Sequence, residues 1–287
     1  MTADRPSRPK LRVSLAAFPE RYVLPSRPSA APPAALDAYR QTQFLLGGDL
    51  AVFEQAMNLQ LDAVAANARA RSPEAAALLT FWSRAFSHLA DACTLMAGGA
   101  YVSCAPLLRS ACDCIAAQRS LAADFSEYRQ WFEGAISQQR ERAALAFDLG
   151  RFRAGSALAG DERLGAVYRL LTDLSMPHFG STALQVASDS SLQKLALAFA
   201  DNAFHLGWAE LITGWLLTLA AAQFETVASS GVFAIPDSVR AQHQGIARDT
   251  ASALEGRRRC YVEDVDGRFL FHNFRRRASG APKRVML

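Results

Sequence analysis

A pair of charged residues with helical spacing is the first feature of this chain that could do chemistry. Arg109 and Asp113 lie four residues apart in the mostly apolar stretch LLRSACDCI, so a helix puts both on one face. A buried charge must find a partner, because leaving it unpaired costs several kcal/mol. Two interpretations stay open: Asp113 neutralises Arg109 inside the fold, or Arg109 faces a cleft and binds a phosphate or another anion.

A second group of candidate residues lies at a later helix end, in the stretch YRLLTDLSMPHFGS. Tyr168, Ser175 and His178 could all reach one site, and Pro177 fixes the backbone just before the histidine. A histidine that faces a cleft can act as a general acid or base near neutral pH. The alternative is that His178 closes the helix end by bonding its last carbonyl groups.

Together the L-L-R-x3-acid stretch and the later Y-x6-S-x2-H stretch resemble a pattern in bacterial all-helical proteins of uncharacterised function. These proteins are similar in turn to HEPN domains, which occur among toxins, abortive-infection proteins and ribonucleases. The resemblance implies a homodimer that binds or cleaves RNA, in bacterial defence or stress response. It covers about residues 80–225 and matches the pattern at Arg109, Asp113, Tyr168, Ser175 and His178.

The resemblance also implies a role for each matching residue in a metal-independent ribonuclease. Arg109 would hold the phosphate, Asp113 would orient Arg109, and His178 would transfer the proton. Tyr168 and Ser175 would supply hydrogen bonds. HEPN ribonucleases carry their arginine and histidine in one R-x4–6-H stretch, which this chain lacks. Arg109 and His178 must therefore meet from separate helices if the chain cleaves RNA.

Arg84, His88 and Asp91 form a third group with helical spacing and share one helix face. An aspartate beside a histidine can orient it for proton transfer. The alternative is a polar stripe on a helix that packs through its neighbouring aromatic and aliphatic residues.

Asp201, His205 and Glu210 form a fourth group, which could hold a metal ion inside a helical bundle. Bundles that bind two metal ions use repeated Glu-x-x-His motifs together with further glutamates. The chain contains no Glu-x-x-His motif. We therefore predict neither a metal site nor a cofactor.

The last group is a set of arginines around the stretch CYVEDVDGRFLFHNF. The alternation of residues on either side of Asp-Gly predicts a β-hairpin over residues 260–274. Arginines interleaved with aromatic rings can hold phosphates and stack on bases. The alternatives are an edge hairpin with its arginines in solvent, or a strand added to a partner protein. The predicted nucleic-acid-binding residues are Arg257, Arg258, Arg259, Arg275, Arg276 and Arg277.

The elements that position these residues form an all-α fold in the sequence-based prediction. Apolar periodicity predicts a bundle of about seven or eight helices over residues 34–255. A Pro/Arg-rich stretch over residues 1–33 predicts an extended arm that packs on the bundle. Residues 256–287 form the basic hairpin and tail.

Local signals predict where several helices begin and end. Ser72-Pro73, Ser126 and Asp161 are start signals. The pair Gly47-Gly48 is expected to end the first helix, with the following aspartate capping the second. Residues 190–228 carry the longest helical pattern and are expected to form one helix.

Charge is segregated along the chain. The net charge of +4 divides into +4 for residues 1–40, +6 for residues 256–287 and −6 for residues 41–255. Basic ends of this kind bind phosphate backbones or act only as solubilising tails.

Compartment and membrane association are predicted from cysteine usage and hydropathy. The five cysteines form no disulfide framework, which favours reduced thiols in the cytoplasm, and the N-terminus lacks an apolar core of signal-peptide length. Residues 203–222 are apolar enough to span a membrane. A glutamate near the centre of this stretch would be costly in lipid, so we predict a core helix and no membrane association.

The leading functional prediction is an RNA-binding or RNA-cleaving protein with a HEPN-like helical core. One alternative is a non-catalytic scaffold that docks a partner protein through its arm and C-terminal hairpin. A second alternative is a small-molecule or metal-dependent enzyme whose pocket lies inside the bundle.

Overall fold

The computed structural model describes residues 19–67, 72–126, 157–158, 160–187, 189–191, 193–255, 258–275 and 282–287. Within these ranges the chain is a bundle of seven helices with a small C-terminal sheet, which confirms the predicted fold class. The helices are α1 Pro33–Ala66, α2 Pro73–Ala97, α3 Tyr101–Ala123, α4 Glu162–Ser175, α5 Phe179–Val186, α6 Leu206–Ser229 and α7 Asp237–Leu254. The strands are β1 Tyr261–Val265, β2 Arg268–His272 and β3 Val285–Met286.

Helix α6 lies at the centre of the bundle and packs against α1, α2, α3 and α7. Its side chains are buried on nearly all sides, which explains why its sequence lacks a polar face. Its length and hydropathy would also suit a membrane span, but 83% of its most apolar window is buried inside the protein. Burial at the centre of a bundle accounts for this composition without a membrane.

Capping side chains begin two helices where the sequence predicts them. The Ser72 hydroxyl accepts the Ala75 N–H at 3.0 Å, and the Asp161 carboxylate accepts the Leu164 N–H at 3.0 Å. The helix predicted to start at Ser126 falls on residues 127–150, outside the described residues.

The predicted break at Gly47-Gly48 is wrong, because α1 runs through both glycines. Glycine in a helix costs about 1 kcal/mol relative to alanine. The buried side chains of Leu46, Leu50 and Phe53 continue across the pair, and their burial outweighs that cost. Asp49 caps no helix there and instead forms an ion pair with Arg259.

The prediction of one helix over residues 190–228 is also wrong, because α6 begins only at Leu206. The described residues before it have no regular structure, and Ala200 has a φ of 49°. Leu195, Leu197 and Phe199 alternate with other residues at a spacing of two and are exposed. This spacing is not helical, and it was the signal against a continuous helix.

The predicted hairpin is confirmed, with β1 and β2 antiparallel and Val265 opposite Arg268. The turn residues Asp266 and Gly267 have φ values of 52° and 78°, as the tight Asp-Gly turn requires. The third strand, β3, was not predicted. It pairs with the free edge of β2, so the chain's own C-terminus occupies the edge that could otherwise receive a partner strand.

The described part of the N-terminal arm packs along α1. The Tyr22 N–H donates to Asn58 Oδ1 at 2.8 Å, and Asn58 Nδ2 donates back to the Tyr22 carbonyl at 3.0 Å. The Tyr22 ring is buried against Phe53 and Phe86, edge to face. Paired backbone bonds and an aromatic anchor therefore fix this segment to the bundle.

Helix α7 contributes a histidine that makes stability depend on pH. The His243 ring stacks on Phe224 with centroids 4.2 Å apart, and burial lowers its pKa below the ordinary value of 6.5. The unfolded chain therefore binds a proton more tightly than the folded one, so stability is lost as the pH falls below about 6.5. We expect His243→Gln to lose less stability than the wild type between pH 7.5 and pH 5.5, measured by urea denaturation. Equal losses in both proteins would contradict this prediction.

Candidate functional site

Three helices bring four of the polar candidates together at one place. Arg84 comes from α2, Arg109 and Asp113 from α3, and Tyr168 from α4. The Arg109 guanidinium carbon lies 6.0 Å from the centroid of the Tyr168 ring, within cation–π range. Burial raises the pKa of the Asp113 carboxyl, and the charges of both arginines and hydrogen bonding from Tyr168 oppose that rise. We call these four residues the Arg109 cluster.

Within the cluster, Arg109 is held near Asp113 without an ion pair. Asp113 lies one turn along α3, and the charge of Arg109 acts on it through space. Arg109 nevertheless forms no ion pair with any residue of the described ranges, and its buried Nε has no hydrogen-bond partner there. The interpretation in which Asp113 neutralises Arg109 by direct pairing therefore leaves the Nε–H of this guanidinium without an acceptor. A buried donor without an acceptor is costly.

Burial is the largest influence on Asp113. The carboxyl is about half-buried, and this desolvation raises its pKa above the ordinary value. The charge of Arg109, hydrogen bonding from Tyr168 and the charge of Arg84 oppose this rise without cancelling it. The carboxylate therefore takes up a proton more readily than an exposed aspartate as the pH falls, which leaves the cluster more positive.

The predicted stripe on α2 joins this site through Arg84. Arg84 Nε donates to His88 Nε2 at 3.3 Å, so the histidine acts as an acceptor in its neutral form. Burial and the charge of Arg84 lower the pKa of His88, while Asp91 opposes them. His88 is thus a neutral partner that orients Arg84. The sequence placed this stripe and the residues of α3 in separate groups, because nothing local links two helices.

Ser175 and His178 do not join the Arg109 cluster. Ser175 Oγ donates to the Leu171 carbonyl at 2.6 Å within its own helix. His178 occupies the position before α5, with an exposed side chain that makes no capping bond. Its backbone carbonyl accepts the Thr182 N–H at 2.9 Å. Neither the predicted contact with Arg109 nor the predicted closure of α4 by the imidazole is found among the described residues.

Two of the predicted nucleic-acid-binding arginines instead attach the hairpin to the bundle. Arg259 pairs with Asp49 and donates to the Glu210 carbonyl at 2.9 Å, and its side chain is only 10% exposed. Arg275 reaches the Glu210 carboxylate at 3.4 Å and the Arg258 carbonyl. These intramolecular bonds occupy both guanidinium groups, whereas Arg258 is exposed. Arg257, Arg276 and Arg277 lie outside the described residues.

Glu210, which the sequence grouped with possible metal ligands, is the acceptor at this junction. Its carboxylate is buried and accepts the Cys260 N–H at 2.8 Å as well as the bond from Arg275. No group of three or more metal-ligating side chains occurs in the described ranges. The sequence contains a signal for this junction. An acidic residue in an apolar helix requires a cationic partner, and the arginines that flank the hairpin are candidates for that partner.

The cysteines offer no reactive thiol. All five are free and buried, as predicted. Burial raises the pKa of Cys93 and that of Cys114 to about 11. Because the thiolate is the nucleophile, these thiols are inert near neutral pH.

Searches for similar proteins found no matching family model, no matching curated protein and no matching solved structure. The HEPN-like resemblance therefore stays a prediction carried by the motif residues on α3, on α4 and at the start of α5.

Proposed function

We propose that this protein binds RNA in single-stranded form along α4, from the Arg109 cluster to the helix end at His178. The observation that carries the proposal is the charge of the half-buried Arg109 guanidinium beside Tyr168, which forms no ion pair with a described residue. A phosphate oxygen is an acceptor of suitable charge for a guanidinium N–H. Arg84, whose one hydrogen-bond partner among the described residues is the neutral His88, provides a second cation beside it.

The geometry of α4 favours a polymer over a single phosphate. Tyr168 and Ser175 are seven residues apart, so they lie on the same face two turns apart. At 1.5 Å per residue this separation is about 10 Å, and His178 lies beyond it. One phosphate cannot reach both ends, whereas a chain of nucleotides can.

An exposed aromatic ring beside His178 suits this interpretation. Phe179 is 90% exposed, and burying so large an apolar side chain stabilises a complex. Nucleic-acid-binding proteins use exposed rings of this kind as platforms on which bases stack. A strand that places a phosphate at Arg109 could stack a base on Phe179.

The same separation supports binding rather than cleavage. General acid–base chemistry requires the proton carrier within hydrogen-bond reach of the group that reacts. His178 makes no contact with Arg109, and the Ser175 hydroxyl is already bonded to its own helix. We therefore assign His178 a contact with the bound strand and assign it no proton transfer.

We expect Arg109→Gln to weaken binding of a fluorescein-labelled, single-stranded oligoribonucleotide about tenfold at low salt. The reason is the loss of a charge-assisted phosphate contact. Phe179→Ser should weaken binding by at least fivefold, because base stacking contributes about 1–3 kcal/mol per base. Fluorescence anisotropy measures both affinities, and circular dichroism checks the fold of each variant.

Arg40→Gln is the matched control, because Arg40 is an exposed α1 arginine that pairs with Asp37 and with no other residue of the described ranges. It removes the same charge as Arg109→Gln at a position outside the proposed surface. Its affinity for the oligoribonucleotide should match that of the wild type. The proposal fails if the wild type does not bind, or if both arginine variants bind equally well.

A further inference from the structure

A cavity of about 200 Å³ lies between the C-terminal hairpin and the helices α4 and α6. It is half-open to solvent, and its volume exceeds that of the enclosed cavity of roughly 150 Å³ that holds a benzene molecule in an engineered protein. Its wall combines apolar side chains, among them Val167, Trp215 and Phe269, with a few polar groups. This combination is typical of small-molecule sites.

Two anchors hold strand β1 over the groove between α4 and α6. At one end the Cys260 N–H is bonded to Glu210 of α6 at 2.8 Å. At the other end Asp264 pairs with Arg169 of α4 at 2.9 Å. Because each end of the strand is tied to a different helix, the space beneath it is a built feature of the fold.

Glycine at position 214 keeps one side of this space open. A Cβ at Gly214 would lie 3.2 Å from Leu254 Cδ2, closer than ordinary van der Waals contact. A side chain here would press on the junction between α7 and the hairpin and project into the cavity wall. Glycine is unfavourable inside a helix, and the close approach of Leu254 is a reason for it at this position.

The charges in the wall are balanced with one exception. Glu210 is bonded to Arg275, Asp264 to Arg169, and Arg259 to Asp49. Arg163 is different, since its Nη2 donates to the Thr218 hydroxyl at 3.1 Å and it forms no ion pair with a described residue. The Asp161 carboxylate, which pairs with Arg119, interacts with the Arg163 charge only through space. Thr218 in turn donates to the Gly214 carbonyl at 2.8 Å, which fixes its orientation towards Arg163.

From these contacts we infer that the cavity binds a small organic acid, with its carboxylate on Arg163 and its apolar body between Trp215 and Phe269. Burying the apolar body stabilises the complex in proportion to the area removed from water. The carboxylate completes the charge pairing of the wall through hydrogen bonds to the guanidinium. The volume admits one six-membered ring and a short acidic arm.

The test uses the full chain with phenylacetate as the probe and phenylacetamide as its neutral counterpart. Isothermal titration calorimetry should give a dissociation constant for phenylacetate of about 1 mM or tighter. Phenylacetamide and the Arg163→Gln variant with phenylacetate should each bind at least about tenfold more weakly, because a charge-assisted hydrogen bond is lost. Arg248→Gln removes an α7 arginine outside the cavity wall and should leave the affinity unchanged.

A second variant tests the location of the site. Val167→Phe places a ring in the cavity and should abolish phenylacetate binding, while circular dichroism remains that of the wild type. If Val167→Phe does not fold, the comparison of Arg163→Gln with Arg248→Gln still shows whether phenylacetate binds at Arg163. The inference is overturned if the wild type does not bind phenylacetate at about 10 mM. Equal affinities for acid and amide, or for the two arginine variants, overturn it as well.

Discussion

Glu210→Ala is expected to lower the free energy of unfolding by about 2–4 kcal/mol. The carboxylate is buried in α6 and accepts the backbone N–H of Cys260, the residue that leads into the hairpin. Its removal leaves a buried N–H without an acceptor and separates Arg275 from its ion-pair partner. Because Arg275 is 40% exposed, water partly compensates for the loss of its ion pair. The unpaired Cys260 N–H therefore makes the larger contribution to the lost stability.

Urea denaturation followed by circular dichroism measures this effect. Glu225→Ala is the matched control, because Glu225 is an exposed glutamate on the same helix and should change stability by less than about 0.5 kcal/mol. Glu210→Gln should fall between the two, because the amide oxygen still accepts a hydrogen bond but carries no charge. Equal stabilities of Glu210→Ala and Glu225→Ala would contradict the anchoring role of Glu210.

Gly99→Ala is expected to destabilise the fold by about 2–5 kcal/mol. Gly99 follows the end of α2 with a φ of 79°, a conformation that costs other residues about 1–2 kcal/mol. An added Cβ would also lie 2.1 Å from the Asn202 carbonyl oxygen. Because the obstacle is backbone, the segment before α6 must move away from the bundle.

The matched control for this substitution is Gly47→Ala in the middle of α1. A Cβ at Gly47 meets no atom within 4 Å, and alanine is favoured over glycine in a helix by about 0.5–1 kcal/mol. We therefore expect opposite signs in thermal unfolding, with a lower midpoint for Gly99→Ala and a higher one for Gly47→Ala. A lower midpoint for Gly47→Ala would contradict the continuity of α1 through its two glycines.

Much of the secondary structure was predictable because its causes are local. A capping serine or aspartate satisfies an N–H of its own helix a few residues away, as Ser72 and Asp161 do. The hairpin follows from the backbone preference of Asp266 and Gly267 for positive φ. The all-α class follows from hydrophobic periodicity, and burial of the cysteines follows from their apolar neighbours.

The predicted helix break in α1 was wrong because tertiary packing outweighs a local preference there. Two glycines in succession normally end a helix, but the buried stripe on α1 continues through them. The segment before Leu206 is a different case, because Leu195, Leu197 and Phe199 recur at a spacing of two that does not favour a helix, and all three are exposed in a segment without regular structure. The short strand β3 exists because β2 offers it an edge, and two residues carry too little pattern to be found alone.

The fold class, the positions of the capping residues, the hairpin turn and the types of residue available for a site all follow from the amino-acid sequence. Which of these residues meet depends on how the helices and the hairpin pack together. Arg84 reaches the Arg109 cluster from a different helix, His178 stays apart from it, and Arg259 anchors the hairpin where an exposed phosphate contact was predicted. The physical reason is that periodicity and capping act over a few residues, whereas charge pairing and packing join residues that are far apart in the chain.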